Sequence, residues 1–311
     1  MIIFGPVPSR RLGQSIGINN IPPKACSYSC VYCQIGRTDK MQIRRSEFYK
    51  PEEILRQTKV KMAELNRGKE HVDYLTFVPD GEPTLDKNLG VEIDMLKQFD
   101  IKIAVITNAS LLWMDDVRKD LMKADWVSVK VDAVQNNIWR KIDRPQGSLN
   151  ISKIMQGTID FAKEFKGTLV TETMLVDGIN DNIECLHEIA KHIIHLKPSK
   201  SYLLVPTRPP AEAVVRKPSE ESIRDAYDII HNESGVEVEC ITGDEGDSFY
   251  FTDKVTDDLL SITSVHPIRE DVINKILEDR HLDRSVIDNL IEKELIKMYI
   301  YEDKKFYRRN I

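Results

Sequence analysis

From Ser15 to about residue 242, short apolar runs rich in β-branched residues alternate with longer segments whose apolar positions recur every three or four residues. The runs at 15–19, 73–78, 101–107, 126–132, 169–176 and 200–206 predict strands. Between them, 51–65 opens with Pro51 at the first helical position, 183–196 is amphipathic, and 219–232 has Ser219 placed to cap, so all three predict helices. This is the βαβ rhythm. Six parallel strands with helices outside predict an α/β fold, a partial (β/α)6 barrel. Such folds carry their functional groups on loops at the C-terminal ends of the strands. The segments expected there are the cysteine-rich stretch, Pro-Asp-Gly-Glu-Pro (79–83), Asn-Ala-Ser (108–110), the Asp132 loop, Asp-Gly-Ile-Asn (177–180) and Thr-Arg-Pro-Pro (207–210), which hold most of the polar and Gly/Pro-rich irregularities.

After about Asp253 the rhythm changes. Segments 256–263, 269–280 and 283–294 are helical in pattern, and 297–309 reads as a two-stranded ribbon. Three short helices and a ribbon predict a small C-terminal winged helix-turn-helix domain, which divides the chain into a barrel at 1–252 and a winged helix at 253–311.

Composition narrows the class. Of 311 residues 41% are hydrophobic and 30% charged, and none of the apolar runs approaches the roughly 20 residues of a membrane span, so no membrane partner is expected. The N-terminus, MIIFGPVPSRRLG, lacks the apolar core of a secretory signal. Five cysteines is an odd count with three crowded together, which favours the reducing cytoplasm, where thiols bind metal rather than pair. The net charge of -6 conceals an asymmetry: residues 1–50 hold eight basic side chains against two acidic ones, leaving -12 for the rest. The basic part surrounds the cysteines, so an anionic partner is expected at that end, against the alternative of plain solvated charge.

Cys26, Cys30 and Cys33 lie within eight residues, at spacings that let one loop wrap a single metal centre. Thiolates are soft ligands that suit zinc, copper(I) or iron–sulfur clusters. A structural zinc site takes four closed ligands. Here the nearest histidine is His71, and Cys185 and Cys240 are remote in sequence and read as core thiols. Three thiolates on a cluster with one open iron fit better than a zinc knuckle or simple buried thiols.

At these residues the sequence resembles the radical S-adenosylmethionine superfamily, whose signature is CxxxCxxC with an aromatic, here Tyr32, before the last cysteine. The resemblance covers residues 1 to about 250. Within the superfamily, Gly-Pro-Val-Pro-Ser-Arg-Arg-Leu-Gly (5–13), Asn-Ile-Pro-Pro-Lys-Ala-Cys (20–26) and the Thr-Arg-Pro-Pro turn are similar to the group related to wyosine-type tRNA synthases, although the additional cysteine triplet of those synthases is missing here. The resemblance implies a 4Fe-4S cluster and S-adenosyl-L-methionine as cofactors, reductive cleavage to a 5'-deoxyadenosyl radical that takes a hydrogen from substrate, and a reducing electron donor such as flavodoxin or ferredoxin. It places Asp-Gly-Glu-Pro (80–83) at the superfamily's Gly-Gly-Glu-type motif, with Gly81 permitting close backbone approach and Glu82 taking the methionine ammonium. Lys130 and Asp132 share one face of the fourth strand by period two. Lys130 is then a candidate for the cofactor carboxylate and Asn108 or Asp132 for its ribose, with a structural Lys130–Asp132 ion pair as the alternative.

Three loops expected on the catalytic face are basic: Arg10 and Arg11; Arg140, Lys141 and Arg144; Arg208, Arg216 and Lys217. Together they predict a phosphate-binding rim, with Arg10, Arg11, Arg140, Arg144 and Arg208 as substrate contacts and Tyr28, Tyr32 and Trp139 as stacking surfaces. That suits tRNA base modification. The alternatives are radical modification of a peptide or protein side chain, with the winged helix docking a protein, and an iron–sulfur DNA-binding regulator. The regulator is disfavoured, because it has no need of Asp-Gly-Glu-Pro or six strands, and the helix at 283–294 sets Asp283, Asp288, Glu292 and Glu294 against Arg284 and Lys293. Only the wing, with Lys304, Lys305, Arg308 and Arg309, is basic, and it is expected to guide RNA, dock a protein or pack on the barrel.

Overall fold

The computed structural model describes residues 2–68, 70–243, 255–265 and 267–310. The boundary expected at 252/253 lies outside them. In chain order the first part comprises β1 (Ile3–Ser9), β2 (Gly13–Ile18), β3 (Ala25–Cys26), β4 (Lys40–Met41), α1 (Pro51–Gly68), β5 (Tyr74–Phe77), α2 (Leu89–Leu96), β6 (Lys102–Thr107), α3 (Asp115–Leu121) and β7 (Trp126–Lys130). It continues through α4 (Asn136–Ile142), α5 (Ile151–Glu164), β8 (Thr168–Met174), α6 (Ile183–Leu196), β9 (Lys200–Leu204), α7 (Glu220–Ser234) and β10 (Val238–Ile241).

All six expected strands form and run parallel, in the order β2-β5-β6-β7-β8-β9. Two further strands extend the sheet at its edges. β1 pairs antiparallel with β2, and β10 runs parallel to β9. Neither stands out in the sequence pattern. β1 carries Pro6 and Pro8, which only an edge tolerates, and its register is broken between Phe4 and Val7. β10 spans only four residues.

Period two divides the sheet's side chains between two environments. Ile103, Val105, Val127, Val129 and Leu169 face the helices and join the main core with Ile93, Leu121, Phe161 and Ile189. Ala104, Trp126, Val170 and Tyr202, offset by one, belong to a separate cluster on the opposite face. The same offset parity puts Thr76, Ile106, Lys130, Glu172, Met174 and Leu204 around a cavity on that face. The helices start where capping chemistry allows. Asn150, Asn182 and Ser219 each accept from an N–H in the first turn of α5, α6 and α7. Cys185 is buried under α6 as a core thiol, whereas Cys240 is half-buried in β10.

The C-terminal part contains α8 (Val255–Val265), β11 (Ile268–Arg269), α9 (Glu270–Asp279), α10 (Ser285–Glu292), β12 (Ile296–Tyr301) and β13 (Lys304–Arg309). The expected ribbon is a three-stranded sheet, β11-β13-β12, because the two-residue β11 is too short to leave a period. Leu259, Ile262, Ile273, Ile287, Leu290 and Tyr307 form a core of its own. The β12–β13 ribbon meets the loop face of the large sheet: Tyr301 Oη donates to the Pro206 carbonyl at 3.2 Å.

Helix α5 comes down on the 109–114 loop at Gly157, where an added Cβ lies 2.5 Å from the Leu112 carbonyl and the Trp113 nitrogen. Gly157→Ala gains helix propensity but forces backbone apart, which costs more, about 1–3 kcal/mol. Denaturant unfolding is expected to show a lower midpoint for this variant; an unchanged or higher midpoint contradicts the close approach.

Candidate functional site

The cysteine loop leaves β3 and is stitched to the segment after α4. Ser29 N donates to the Asp143 carbonyl at 3.0 Å, Val31 N to Ile142 at 2.9 Å, and Gln146 N to Ser27 at 2.9 Å. Under the loop, Trp139 Nε1 donates to Tyr28 Oη at 3.1 Å, and the two rings meet edge to face at 5.9 Å. Tyr28 is 3% and Trp139 1% exposed, so the expectation that they offer stacking surfaces is corrected: burying their rings holds the loop instead.

The three thiols sit close enough to perturb one another. Burial, then Glu82, pushes Cys26 up to about 12. Burial, then Asp143 and the other two cysteines, raises Cys30 well above the usual thiol range. Cys33 is raised by burial, with Lys130 and Arg308 pulling the other way. Cys26 Sγ accepts from Tyr28 N and from Asn108 Nδ2, both at 3.5 Å, and Cys30 Sγ donates to Asp143 Oδ1 at 3.3 Å. Among the described residues no three His, Cys, Asp or Glu side chains converge on a single ion. N–H donors to sulfur suit anionic ligands.

Next to Cys26 runs the Asp80–Pro83 turn. Lys24 N donates to Asp80 O at 2.6 Å and Glu82 N to Ala25 O at 3.1 Å, so the turn lies directly on β3. A Cβ on Gly81 sits 1.9 Å from the Ala25 carbonyl oxygen, which makes glycine obligatory there. Glu82 is 1% exposed. Its Oε1 accepts from Thr84 N at 3.1 Å and from the Thr84 and Thr107 hydroxyls at 2.6 Å each, while Oε2 accepts from Asn108 N at 2.7 Å. Burial raises this carboxyl, and those donors pull it back down. Asn108 continues the chain, donating to Ser27 Oγ at 2.9 Å.

Lys130 and Asp132 meet through Tyr32. Tyr32 Oη donates to Asp132 Oδ2, and Lys130 Nζ lies 5.2 Å from the centre of the tyrosine ring. Asp132 Oδ1 accepts from Met174 N at 2.7 Å, which ties the residue across to β8. Burial disfavours the Lys130 charge, but Asp132, Glu172, Cys30 and Asp143 together hold its pKa raised. Sequence reasoning missed Asp143, a buried acid at the end of α4 that touches both Cys30 and Tyr32, because nothing in its neighbours sets it apart from a surface charge.

Of these groups Tyr32, Cys33, Asp80 and Lys130 line a cavity of about 330 Å³ together with Arg11 and Glu172, whereas Cys26, Cys30, Gly81, Glu82, Asn108 and Asp132 stand behind its wall. Arg11 pairs with Glu172, which also accepts from Ser128 Oγ at 2.7 Å. Asp80 Oδ1 is buried without a hydrogen-bond partner, and burial pushes its carboxyl up to about 7. The five expected substrate arginines divide. Arg11 and Arg208 line the cavity, and Arg208 donates to Gln34 Oε1 at 2.9 Å. Arg144 joins Arg37 on Glu212, at 2.5 and 2.8 Å. Arg140 is exposed, 5.5 Å from the Trp139 ring, and Arg10 is exposed near Gly243.

Residues 20–193 match the family model described as the Radical SAM superfamily, and the chain belongs to that superfamily. It is 47% identical over 312 residues to a UPF0026 protein of Methanocaldococcus jannaschii, covering 100% of this chain and 96% of that one. Among solved structures it is similar to a radical SAM methyltransferase from Sphaerobacter thermophilus, with a TM-score of 0.58 and 16% identity over 73% of this chain and 66% of that one. It is also similar to TYW1 with a lysine-pyruvate adduct bound, with a TM-score of 0.50 and 18% identity over 72% and 76%. These two likenesses are of fold. The protein is thus a radical S-adenosylmethionine enzyme, and its cofactors are a 4Fe-4S cluster and S-adenosylmethionine. Among the described residues no helix is long and apolar enough to cross a membrane.

Replacing Glu82 by Gln keeps its shape and removes its charge. The variant is expected to retain iron but bind S-adenosylmethionine about 10- to 100-fold more weakly, since a charge-assisted hydrogen bond contributes about 1.5–3 kcal/mol. Calorimetric titration of the anaerobic protein measures this; equal affinity removes Glu82 from the cofactor site.

Proposed function

We propose that Cys26, Cys30 and Cys33 hold the cluster, that S-adenosylmethionine lies in the adjoining cavity, and that the substrate is a tRNA base. The observation that carries the cofactor assignment is the junction of the three-thiol loop, the Gly81–Glu82 turn and the polar cavity wall in one place. Three thiolates crowded in a half-buried loop need a cationic group to compensate their charge. When bound, the cluster supplies the electron that breaks the sulfur–carbon bond of the cofactor, giving methionine and a deoxyadenosyl radical that takes hydrogen from substrate.

The chain's own groups hold the cofactor in place. Glu82 Oε2 has one hydrogen bond and keeps a lone pair for the methionine ammonium. Lys130, charged and lining the cavity, pairs with the carboxylate. Asn108 is within reach of Cys26 and offers an amide to the ribose, while Asp132 orients Tyr32. The apolar wall of Ile106, Met174 and Leu204 keeps water from the reacting carbon. The electron donor on this account is a flavodoxin or ferredoxin in a reducing cytoplasm.

The RNA reading is supported by the exposed Arg10, Arg140 and Lys141 and by the wyosine-type motifs at 5–13 and 20–26. A cavity of about 330 Å³ has room for a single base rather than a stacked duplex, so a base would enter it extruded. Residues 1–252 then form a partial barrel and 253–311 a winged helix. A second reading, a peptide or protein substrate, is favoured by a separate feature. β12 is an edge strand with Met298 and Ile300 exposed at 45% and 68%, next to exposed Ile291 and Leu295, which suits strand addition by a protein.

Two expectations follow. Anaerobic reconstitution should load four irons, with any single Cys26, Cys30 or Cys33→Ala losing the cluster and Cys185→Ala or Cys240→Ala keeping it; stoichiometric zinc without iron overturns the assignment. For the substrate, Arg140→Gln with Arg144→Gln should weaken tRNA binding and flatten its salt dependence, by roughly 0.7–0.9 log units per log unit of salt for each phosphate no longer neutralised. Absence of salt-dependent RNA binding by cluster-loaded protein moves the assignment to the protein substrate.

A further inference from the structure

Of the wing's basic residues, Lys304 and Lys305 are exposed, while Arg308 and Arg309 are partly buried. Lys305 pairs with Glu270 at 3.3 Å, and Arg309 donates to the Leu260 carbonyl at 3.3 Å. Arg308 reaches across to the cysteine loop, where its Nη1 donates to the Gln34 carbonyl at 2.8 Å. Gln34 directly follows Cys33, inside a turn closed by Gly36 N donating to Cys33 O at 3.1 Å. The guanidinium is fixed from behind: Nη2 donates to Tyr299 Oη at 2.7 Å and Cζ stands 4.3 Å from the Tyr299 ring centre. Gly36, at a φ of +92° that favours glycine, keeps the turn low enough for both terminal nitrogens to come within 3.8 Å of where its Cβ lies. The Gln34 side chain is gripped from the other side by Arg208.

We propose that Arg308 is a positioning residue for the cluster: it docks the C-terminal module onto the turn that carries Cys33 and places a fixed positive charge beside that ligand, making the cluster easier to reduce. The proposal rests on the assignment of Cys33 as a cluster ligand. Physically, a reduced cluster with three thiolates gains negative charge, and a cation held nearby in a partly buried setting stabilises the added electron. A flexible lysine cannot make Arg308's two directed bonds at once, but it keeps the charge. Lys130 also favours the Cys33 thiolate, and Asp80 opposes it. Neither belongs to the C-terminal module, so Arg308 links that module to the redox centre.

The test is a redox titration of the full-length, reconstituted protein, followed by electron paramagnetic resonance, on wild type, R308Q and R308K. Absence of a reducible cluster in wild type overturns the cofactor assignment itself and is read before the variants. With the cluster present, R308Q should load iron as wild type does, yet at a given potential hold about tenfold less reduced cluster, equivalent to a midpoint about 59 mV more negative for a one-electron couple. R308K should recover most of that shift. An R308Q midpoint equal to wild type, or an R308K midpoint as negative as that of R308Q, overturns the proposal.

Discussion

Thiolate charge confined to one half-buried loop is the constraint from which the rest of this structure follows. Cys26, Cys30 and Cys33 are each held toward the neutral form by burial, and Glu82, Asp143 and Asp80 respectively add to it. Ionising all three without a cation is costly even in this half-buried loop. The protein does not relieve the crowding by opening the loop. It closes it, with backbone bonds from Ser29, Val31 and Gln146 and the Tyr28–Trp139 pair beneath. A loop that stores repulsion and is fastened so firmly is built for a positively charged inorganic group.

The sheet supplies the other half of the arrangement. Because side chains alternate, the residues that pack against the helices and those that line the cavity are set by parity, and Lys130 and Glu172 arrive on the cavity side without distorting their strands. Buried charge on that face is balanced locally: Glu172 by Arg11, Asp132 by Tyr32 and a backbone N–H. Asp80, also on the wall of the cavity, has a buried oxygen without a hydrogen-bond partner. Lys130 and Glu172 thus sit on strands, whereas the cysteines and Glu82 depend on the backbone bonds that fasten their loops.

Much of this was legible in the chain. Six strands, the strand-end position of Lys130 and the loop positions of Gly81, Glu82 and Asn108 follow from periodicity and motif spacing, which depend on neighbours in sequence. What escaped depends on neighbours in space. β1 hides behind its prolines, and β10 and β11 are too short to show a period. Asp143 looks like any acid near a helix end until Cys30 and Tyr32 are found against it. Whether the wing's basic residues guide RNA, dock a protein or pack on the barrel stays open in the sequence because a charge count carries no direction; folding turns Arg308 onto the cysteine loop. The aromatic residues Tyr28 and Trp139 were misread for the same reason, since a ring beside a functional loop serves equally to stack a ligand or to hold the loop from below.

The central claim is that this loop and cavity together cleave S-adenosylmethionine by one-electron reduction. Its most direct measurement is chromatographic detection of 5'-deoxyadenosine after anaerobic incubation of the reconstituted protein with dithionite and S-adenosylmethionine. The account predicts 5'-deoxyadenosine and methionine in equal amounts, with none from the Cys30→Ala variant. Intact cofactor after incubation with protein that holds four reducible irons, or undiminished cleavage by that variant, contradicts it.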